Sequence, residues 1–274
     1  MKLLFSEAKP DYGNYIFPYA IWAFPEAGET PADLFNAGFL PSSRNLDRFY
    51  LCRHLRVRLA DFELSSENRR ILRKGEGISY ELIPRAQFDY TPARREFFKR
   101  YADAKFGAEV MSFERLDALF SSPIISQVLV FTDDATRAEV GVATLFVESD
   151  RLAYYYYAFY DLAHANRSLG MFMMTTAAQL FAARGCQHLY LGSCYSENAL
   201  YKTQFAGAEF FNGFRWSENL DELKFILRRG QQESREHLLE SEEFRGQFYA
   251  GDMQAMVESG GLVASVGLKT PPPK

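Results

Sequence analysis

The hydrophobic pattern of this chain is clearest between residues 124 and 214, where short apolar segments precede one long apolar segment. The short segments are rich in β-branched and aromatic residues and are separated by polar turns. They predict antiparallel neighbouring strands at 124–132, 138–149 and 151–160. The long segment, 167–184, predicts a helix that Gly185 ends. A strand predicted at 188–192 follows, and a strand–helix–strand unit of this kind makes its two strands parallel.

The elements after residue 192 complete the predicted fold. A second short helix carries Tyr201 and Lys202, and an aromatic strand follows near Phe210 and Phe211. Three antiparallel strands, a helix, a parallel strand, a helix and a last strand follow the order of the GNAT acyltransferase fold. The sequence therefore predicts the α+β class, with a mixed, mostly antiparallel central sheet and an N-terminal α+β region. In such folds, ligands favour the carboxyl ends of the parallel strands.

The N-terminal half carries its own signals for helices and strands. Capping residues and Pro or Gly predict helices that start at Thr30-Pro31, Ser65, Thr91-Pro92 and Ser112. Residues 49–62 alternate between apolar and polar side chains, which predicts a strand with its polar side facing solvent. We expect three parts: a basic N-terminal region with a substrate-recognition role, a GNAT-like transferase domain, and a C-terminal helix with a disordered tail from residue 260. Their bounds are 1–88, 89–230 and 231–274.

Composition narrows the class of protein. No run of about 18 apolar residues is present, so the sequence predicts no membrane span. Three widely spaced cysteines predict a reducing compartment, with the cytoplasm as the default. The net charge of −4 argues mildly against wholesale nucleic-acid binding. However, Arg44 to Lys74 holds nine basic residues against four acidic ones. That segment is either a solvated face or an electrostatic footprint for phosphates or a carboxylate-bearing substrate.

The helix start at Arg167-Ser-Leu-Gly170 is a candidate anion site. Backbone amides at a helix start bind anions, and glycine lets a phosphate approach closely. An ordinary helix start, with Gly170 present for close packing, explains the same residues equally well. Enzymes of the GNAT class that use acetyl-CoA carry R/Q-x-x-G-x-G/A here. In this chain Phe172 takes the last position, and we expect its side chain to crowd a pyrophosphate.

Four ordered motifs resemble a known family. They are Phe159-Tyr-Asp161, Arg167-Ser-Leu-Gly170, Leu189-Tyr-Leu-Gly192 and Tyr201-Lys202-x-x-Phe205. In this order they resemble the C-terminal domain of the arginyl-tRNA–protein transferase family, which includes the bacterial aspartate/glutamate leucyltransferases. The segment from Cys52 through Arg70 is similar to the family's N-terminal pattern. The resemblance covers roughly residues 30 to 216.

The chain departs from the family at several positions. Leu46 and Phe49 stand where the family has further cysteines, which leaves Cys52 alone. A lone thiol cannot hold a structural metal, so we expect no metal and no cofactor other than the co-substrate. Asp161 is followed by Leu rather than Pro, and Gly192 by Ser-Cys. Finally, the family's Pro-Leu-Glu region is Gly207-Ala-Glu209 here.

The resemblance implies transfer of an amino acid from the 3′ ester of aminoacyl-tRNA to a protein's N-terminal amine, as in N-degron pathways. Its partners are aminoacyl-tRNA and a protein or peptide N-terminus, acidic in some members. By resemblance the catalytic candidates are Asp161, Tyr190, Tyr201 and Lys202. Donor-binding candidates are Arg167, Ser168, Gly170, Gly192 and Lys202. Acceptor-binding candidates are Arg53, Arg56, Arg69, Arg70, Tyr157 and Phe159.

Alternatives remain for several of these residues and for the function. Asp161 could instead cap a turn, Tyr190 could be a packed aromatic, and Lys202 could be solvated. Tyr154 to Tyr157 should alternate between the faces of their strand, so that one pair lines a site while the other packs. Two other functions are open: a GNAT enzyme that transfers an acyl group from acyl-CoA to a small amine, and a catalytically silent relative that binds protein N-termini.

Overall fold

The computed structural model describes residues 1–7, 19–230, 238, 241–252 and 259. The strands are β1 (Lys2–Glu7), β2 (Tyr19–Phe24), β3 (Phe39–Pro41), β4 (Phe49–Leu51), β5 (His54–Arg58), β6 (Ile78–Pro84), β7 (Gln127–Asp133), β8 (Glu139–Glu148), β9 (Leu152–Tyr160), β10 (His188–Ser193), β11 (Ala208–Phe211) and β12 (Trp216–Ser217). The helices are α1 (Pro31–Asn36), α2 (Ser66–Lys74), α3 (Pro92–Phe106), α4 (Phe113–Phe120), α5 (Leu169–Ala183), α6 (Leu220–Arg229) and α7 (Glu242–Tyr249). The C-terminal helix predicted within 231–259 lies partly outside the described residues, and the predicted tail from 260 lies wholly outside them.

The main sheet confirms the predicted fold class. In the described part of the chain it has eight strands, in the order β12-β11-β5-β10-β9-β8-β7-β6. β7, β8 and β9 are antiparallel neighbours, as their polar turns predicted. β10 pairs in parallel with β9 after the α5 crossover. This arrangement is the mixed, mostly antiparallel sheet of a GNAT-like fold.

α5 is the central helix because it is apolar on nearly every side. Nine of its fifteen residues are buried, which is the pattern of a helix surrounded by other elements. Its far end closes at Arg184 and Gly185, as predicted. Ser168, directly before its first turn, has a left-handed φ of 53°. The start of α5 is therefore a sharp change of direction after the carboxyl end of β9.

The N-terminal residues form a second, smaller sheet with the order β1-β2-β4-β3. α1 begins as its capping residues predict: Thr30 and Asp33 form a reciprocal capping box, and Pro31 takes the first turn. β5 and β6, however, belong to the main sheet. Strands on both sides of residue 88 thus share one sheet, and the division into 1–88 and 89–230 stays a prediction.

β5 differs from its prediction. Its polar residues His54 and Arg56 are buried, at 0% and 7% exposure, rather than facing solvent. β5 lies between β10 and β11 in the interior of the sheet, and the N-terminal sheet covers the face that these side chains occupy. Both faces of β5 are therefore buried, and the alternation of apolar and polar residues in 49–62 does not mark a face exposed to solvent.

Three buried clusters surround the main sheet. α2, α5, α6 and α7 pack on one face, and α3 and α4 pack against the opposite face of β7 to β9. The N-terminal sheet and α1 cover the β9–β10 region beside them. Within the described ranges, no helix is both long and apolar enough to cross a membrane.

Candidate active site

A large cavity opens where β9 and β10 separate. The two strands pair in parallel from Leu152 and His188 to Tyr154 and Tyr190. Beyond that point β9 stays paired with β8, whereas β10 stays paired with β5. The separation leaves a cleft of about 1330 Å³ between them. It lies at the carboxyl ends of two parallel strands, where ligands of α/β units bind.

A β-bulge shapes the β9 wall of the cleft. Leu145 pairs with Tyr155 and Thr144 pairs with Tyr157, so Tyr156 is an extra residue. Thr144 Oγ1 accepts a hydrogen bond from the Tyr157 N–H at 3.1 Å and donates one to the Tyr157 carbonyl at 3.2 Å. Because the bulge breaks the alternation and the strands separate there, all four tyrosines from 154 to 157 line the cleft. The expectation that only one pair would do so is wrong.

Lys202 lies on the wall that follows β10. A 3₁₀ turn, Glu197–Thr203, carries it, and its Nζ donates a hydrogen bond to the Ser193 carbonyl at 3.1 Å. No carboxylate of the described residues lies within ion-pair distance of this amine. Burial lowers the pKa of Lys202 below its usual 10.5. The amine can therefore give or take a proton more readily than a solvated lysine.

Gly192 and Tyr154 adjoin the lysine. A Cβ built on Gly192 would lie 3.8 Å from Lys202 Nζ and 4.0 Å from the Tyr154 hydroxyl. Gly192 follows a bulge in β10 and has a left-handed φ of 82°, a conformation that favours glycine. Burial raises the pKa of Tyr154 well above its usual value, which keeps its hydroxyl protonated. An amine, a phenol and a half-buried glycine backbone thus meet at one point.

The helix start that the sequence singled out also reaches the cleft. Ser168 and Gly170 line it, and Lys74 Nζ lies 3.3 Å from the Ser168 hydroxyl. A Cβ on Gly170 would lie 2.8 Å from the Tyr160 hydroxyl. Glycine at 170 therefore allows Tyr160 to pack on the first turn of α5, which is the close-packing explanation. The backbone of this turn lines the cleft at the same time.

Phe172 does not crowd this turn. Its side chain is 5% exposed and packs against Phe131, with ring centroids 5.9 Å apart. A Cβ on Gly75 would lie 2.1 Å from the Phe172 ring, so the ring fits into the space that Gly75 leaves at the end of α2. The expectation that Phe172 would block a pyrophosphate is wrong, because the side chain points into the core.

The other residues predicted to be catalytic occupy different places. Tyr201 lines the cleft and is 47% exposed. Asp161 follows β9 but caps the next turn, accepting a hydrogen bond from the Ala163 N–H at 2.9 Å; it does not line the cleft. Tyr190 is 1% exposed and accepts a hydrogen bond from Arg56 Nη1 at 3.2 Å. The structure therefore favours the turn-capping and packing alternatives for Asp161 and Tyr190.

Arg167 lies beside the cleft and connects three segments. Its guanidinium donates to the Lys74 carbonyl at 3.2 Å and to the Glu76 carbonyl, and it contacts Asp133 Oδ2 at 3.2 Å. The carbonyls belong to the end of α2, where a cation is favourable. The arrangement positions the turn before α5 rather than placing the guanidinium in the cleft.

Most of the predicted acceptor-binding residues also lie outside the cleft. Arg56 forms a buried ion pair with Glu209 at 2.7 Å, and Arg70 pairs with Glu67 on exposed α2. Arg53 lies over the Tyr195 ring at 5.2 Å. Arg69 donates to the Leu64 carbonyl at 2.5 Å. Phe159 is fully buried against α3, and Tyr157 alone of this set lines the cleft.

The sequence did not identify several residues that line the cleft. α3 contributes Tyr101 and Lys105, α4 contributes Arg115, and α5 contributes Met171 and Met174. Tyr101 packs against Tyr160, with ring centroids 4.7 Å apart. The hydroxyl of Tyr101 was the signal that this side chain reaches a polar space.

The positions of the family's additional cysteines are apolar in this structure. Phe49 is fully buried and Leu46 packs beside it, while Cys52 is 4% exposed. Burial raises the pKa of the Cys52 thiol to about 12, which keeps it protonated. Across the ranges given above, no group of three or more His, Cys, Asp or Glu side chains could hold a metal ion.

Comparisons with known proteins agree with this arrangement. Residues 93–212 match the family model described as "Arginine-tRNA-protein transferase, C terminus". The aspartate/glutamate leucyltransferase of Ruegeria pomeroyi is 29% identical over 177 residues, which cover 62% of this chain and 63% of that protein. The protein of the same name from Ruegeria sp. (strain TM1040) is 28% identical over 178 residues, 64% of each chain. The match thus spans less than two thirds of the length of these relatives.

Solved structures resemble the chain more distantly. FemX covers 76% of this chain and 61% of its own, with 10% identity and a TM-score of 0.40. L-PGS from Bacillus licheniformis covers 52% and 46%, with 15% identity and a TM-score of 0.39. Both TM-scores are low, so the fold assignment depends on the strand order of this chain. The family match includes α3 to β11 and therefore both walls of the cleft. Residues 93–212 of this chain are therefore similar to the C-terminal part of the arginyl-tRNA–protein transferase family.

Proposed function

We propose that the chain is an aminoacyltransferase that moves an amino acid from the 3′ ester of aminoacyl-tRNA to the N-terminal amine of a protein or peptide. The observation that carries the proposal is the cleft between β9 and β10, with the partly desolvated Lys202 on its wall, inside the segment that matches the family. The product is a protein with one additional N-terminal residue. Such a product fits a role in N-degron-dependent degradation in the cytoplasm.

The reaction requires that the two substrates be oriented and that protons be transferred. The acceptor ammonium loses a proton, and the free amine attacks the ester carbonyl. An amide C–N bond forms, and the ester C–O bond breaks. The ribose 3′ oxygen leaves and takes up a proton, while the remaining proton of the former ammonium goes to solvent. The reaction needs no oxidant and no covalent intermediate on the protein, so positioning the two substrates supplies much of the rate.

Lys202 is the residue to which we assign proton transfer. Its lowered pKa gives it a larger neutral fraction near neutral pH than a solvated lysine has, and the neutral amine can take the proton that the ammonium loses. The resulting Lys202 ammonium can then give a proton to the departing 3′ oxygen. The Tyr154 hydroxyl, close to Gly192, is a donor for the oxyanion that forms in between.

We place the donor at the α5 side of the cleft. Ser168, Gly170, Gly192 and Lys202 line this part. A helix start and an ammonium group suit the phosphates of a tRNA 3′ end. The tyrosines of β9 and Tyr201 offer rings on which a terminal base can stack. Arg167 supports this site indirectly, by fixing the turn before α5 to the end of α2.

A labelled-transfer assay tests the proposal. The chain is incubated with labelled aminoacyl-tRNAs and a panel of peptides that begin with Asp, Glu, Arg or Lys, and label on the peptide is measured. We expect label on at least one peptide, and none when the peptide's amine is acetylated. An arm with acetyl-CoA and small amines tests the acyl-CoA alternative. Turnover in that arm alone would overturn the proposal, and so would peptide binding without turnover of either donor.

A further inference from the structure

β9 has an unpaired edge inside the cleft. Its last partner on β10 is Tyr190, which pairs with Tyr154, whereas its pairing with β8 continues to Tyr160. From Gly192 onward β10 pairs with β5 alone. Residues 155–160 of β9 therefore have a paired strand on one side and, in the described part of the chain, none on the other.

The hydrogen bonds to β8 show which backbone groups of β9 point into the cleft. The N–H and the carbonyl of Tyr157 both bond to the Thr144 side chain of β8, and the Asp161 N–H donates to a β8 carbonyl at 2.9 Å. Residues 157 and 161 therefore face β8. Alternate residues of an antiparallel pair face opposite edges, so the backbone groups of Ala158 and Tyr160 point away from β8.

Ala158 and Tyr160 both line the cleft. Among the described residues, the backbone of neither one has a hydrogen bond outside the strand pairing. Each residue offers one N–H donor and one carbonyl acceptor, with the spacing of a strand. A row of unpaired donors and acceptors on a strand is a template for another extended chain.

The proposed reaction brings such a chain to this edge. The acceptor amine has to meet the ester near Lys202, and the Lys202 amine lies beside Gly192 and Tyr154, where the two strands separate. The rest of the acceptor polypeptide has to leave the cleft from that point. β9 runs outward from there towards Tyr160, so a polypeptide that follows it is parallel to β9, as β10 is before it separates.

We infer that the acceptor binds by strand addition: its second and third residues take the place that β10 leaves and pair in parallel with β9. This inference rests on the proposed function. An extended chain advances about 3.3 Å per residue, so the edge from Tyr157 to Tyr160 accommodates about three acceptor residues. One of the amide N–H groups of acceptor residues 2 and 3 donates to the Ala158 carbonyl, and the other points away from β9.

The walls of the cleft suit the two faces of an added strand. Met171 and Met174 line the cleft on the α5 side of the sheet, and Tyr101 and Phe106 of α3 line it on the other side. Successive acceptor side chains point to opposite faces and therefore meet thioethers on one side and aromatic rings on the other. Thioethers adapt to side chains of different shape. Such a site fixes the main chain and tolerates varied residues at positions 2 and 3.

The donor and the added strand occupy different places. The start of α5, where we place the donor, lies on one face of the sheet. The added strand lies in the plane of the sheet, along the edge of β9. The acceptor amine and the ester carbonyl therefore approach each other at Lys202 from two directions.

The test removes single main-chain donors from the acceptor. Hexapeptides that begin with Asp, Glu, Arg or Lys carry a fluorophore at the C-terminus, and an ester replaces the amide at residue 2, 3 or 6. An ester lacks the N–H and leaves every side chain unchanged. The peptides are titrated with the full chain by fluorescence anisotropy. We expect the ester at one of positions 2 and 3 to weaken binding by about fivefold or more. The ester at the other position and the ester at residue 6 should bind as the parent peptide does.

A variant of the protein tests the same contact from the other side. Ala158→Pro removes an N–H that faces the cleft and not β8, and proline is tolerated on an unpaired strand edge. We expect it to weaken binding of the parent peptide by about fivefold or more. The control is Ala108→Pro, in an exposed turn after α3 that does not line the cleft; it should match the wild type. Circular dichroism checks that each variant folds, and the ester series on the wild type decides the question if Ala158→Pro does not.

Four outcomes would overturn the inference. The first is that none of the peptides binds, and the second is that neither ester at positions 2 and 3 changes the affinity. The third is an equal loss at both positions, because a strand alternates. The fourth is wild-type affinity in a folded Ala158→Pro variant. Binding is measured without transfer, so the alternating pattern can stand where the labelled-transfer assay fails, and label transfer can occur where the pattern is absent.

Discussion

The side chain of Thr144 makes two hydrogen bonds to the backbone of one residue, Tyr157, and thereby holds the bulge of β9 open. It accepts from the Tyr157 N–H at 3.1 Å and donates to the Tyr157 carbonyl at 3.2 Å, and it is fully buried. β8 cannot make its regular backbone bonds at a bulge, so the hydroxyl replaces them. Thr144 therefore holds Tyr157, which follows the extra residue of the bulge, in its place on the cleft wall.

We expect Thr144→Val to lower the free energy of unfolding by about 2 kcal/mol, because two buried backbone groups lose their partner. Transfer activity should fall as well, since β9 can then shift towards regular alternation. Thr175→Val is the matched control: that hydroxyl is buried and has no hydrogen-bond partner in the described part of the chain. Its substitution should change the free energy by no more than about 0.5 kcal/mol. Urea denaturation measures both, and equal effects would contradict the role assigned to Thr144.

Lys202→Met and Lys202→Arg separate proton transfer from charge. The Lys202→Met variant removes both the titratable amine and the positive charge, whereas the Lys202→Arg variant keeps a charge that does not titrate below about pH 12. If Lys202 moves the proton, both variants should lose about a hundredfold or more in kcat. The wild-type rate should rise with pH, because the neutral fraction of a lysine with a lowered pKa grows below 10.5. An Arg variant with wild-type kcat would show that a fixed charge is enough.

The same lysine should make stability depend on pH. Its folded pKa is below its usual 10.5, so the unfolded chain binds more protons between those two values. The free energy of unfolding contributed by Lys202 should therefore rise as pH increases through that window. The Met variant should lack this rise, and denaturant titrations at several alkaline pH values measure the difference. A rise of equal size in both proteins would mean that other groups cause it.

His54 should make the protein sensitive to acid. It is fully buried between Tyr190 and Phe211, and burial lowers its pKa from 6.5 to about 3. The unfolded chain binds a proton below pH 6.5 that the folded chain does not accept until about pH 3. Stability is therefore lost as pH falls through this window, by roughly 5 kcal/mol at most. His54→Phe keeps a ring in the stack and should show a smaller loss between pH 7 and pH 4.5. An unchanged loss would assign the acid sensitivity to other groups.

The buried pair Arg56 and Glu209 should act on stability rather than on acceptor choice. Arg56 also donates to Asn36 Oδ1 at 2.8 Å and lies 3.8 Å from the centre of the Trp216 ring. Arg56→Met leaves Glu209 with fewer partners in the interior and should cost about 3–5 kcal/mol. The double variant with Glu209→Gln should cost less than the sum of the two single changes. A change in the Glu-over-Gln peptide preference at unchanged stability would instead return Arg56 to the acceptor site.

Local signals accounted for much of the fold. Ser65, Thr91 and Ser112 cap their helices as predicted, since each side chain accepts a hydrogen bond from an N–H of the first turn. The order of strands around α5 followed from hydrophobic period and turn residues. The burial of β5 could not be predicted in this way. A polar side chain on a strand gives the same sequence pattern whether it faces water or forms a buried ion pair.

The site was harder to predict than the fold. The cleft is lined by six of the predicted site residues, whose roles stay predictions: Tyr157, Ser168, Gly170, Gly192, Tyr201 and Lys202. Arg44 and Arg115 are far apart in sequence, and only the packing of α4 against the 42–48 loop brings them together. The orientation of Phe172 depended on Gly75, a residue in another helix cap. Contacts of this kind have no local signature.

The bulge at Tyr156 has a consequence for recognising such clefts in other chains. A strand that lines a substrate cleft with one face is usually recognised in a sequence by polar or aromatic residues at every second position. An extra residue at the point where two parallel strands separate lets adjacent side chains line the same cleft. In the sequence, such a wall is seen as an uninterrupted series of aromatic residues, after which the side chains that face the cleft shift by one position. Tyr154 to Tyr157 are such a run. A strand whose apolar and polar alternation is interrupted just before a helix is therefore a candidate wall of a substrate cleft.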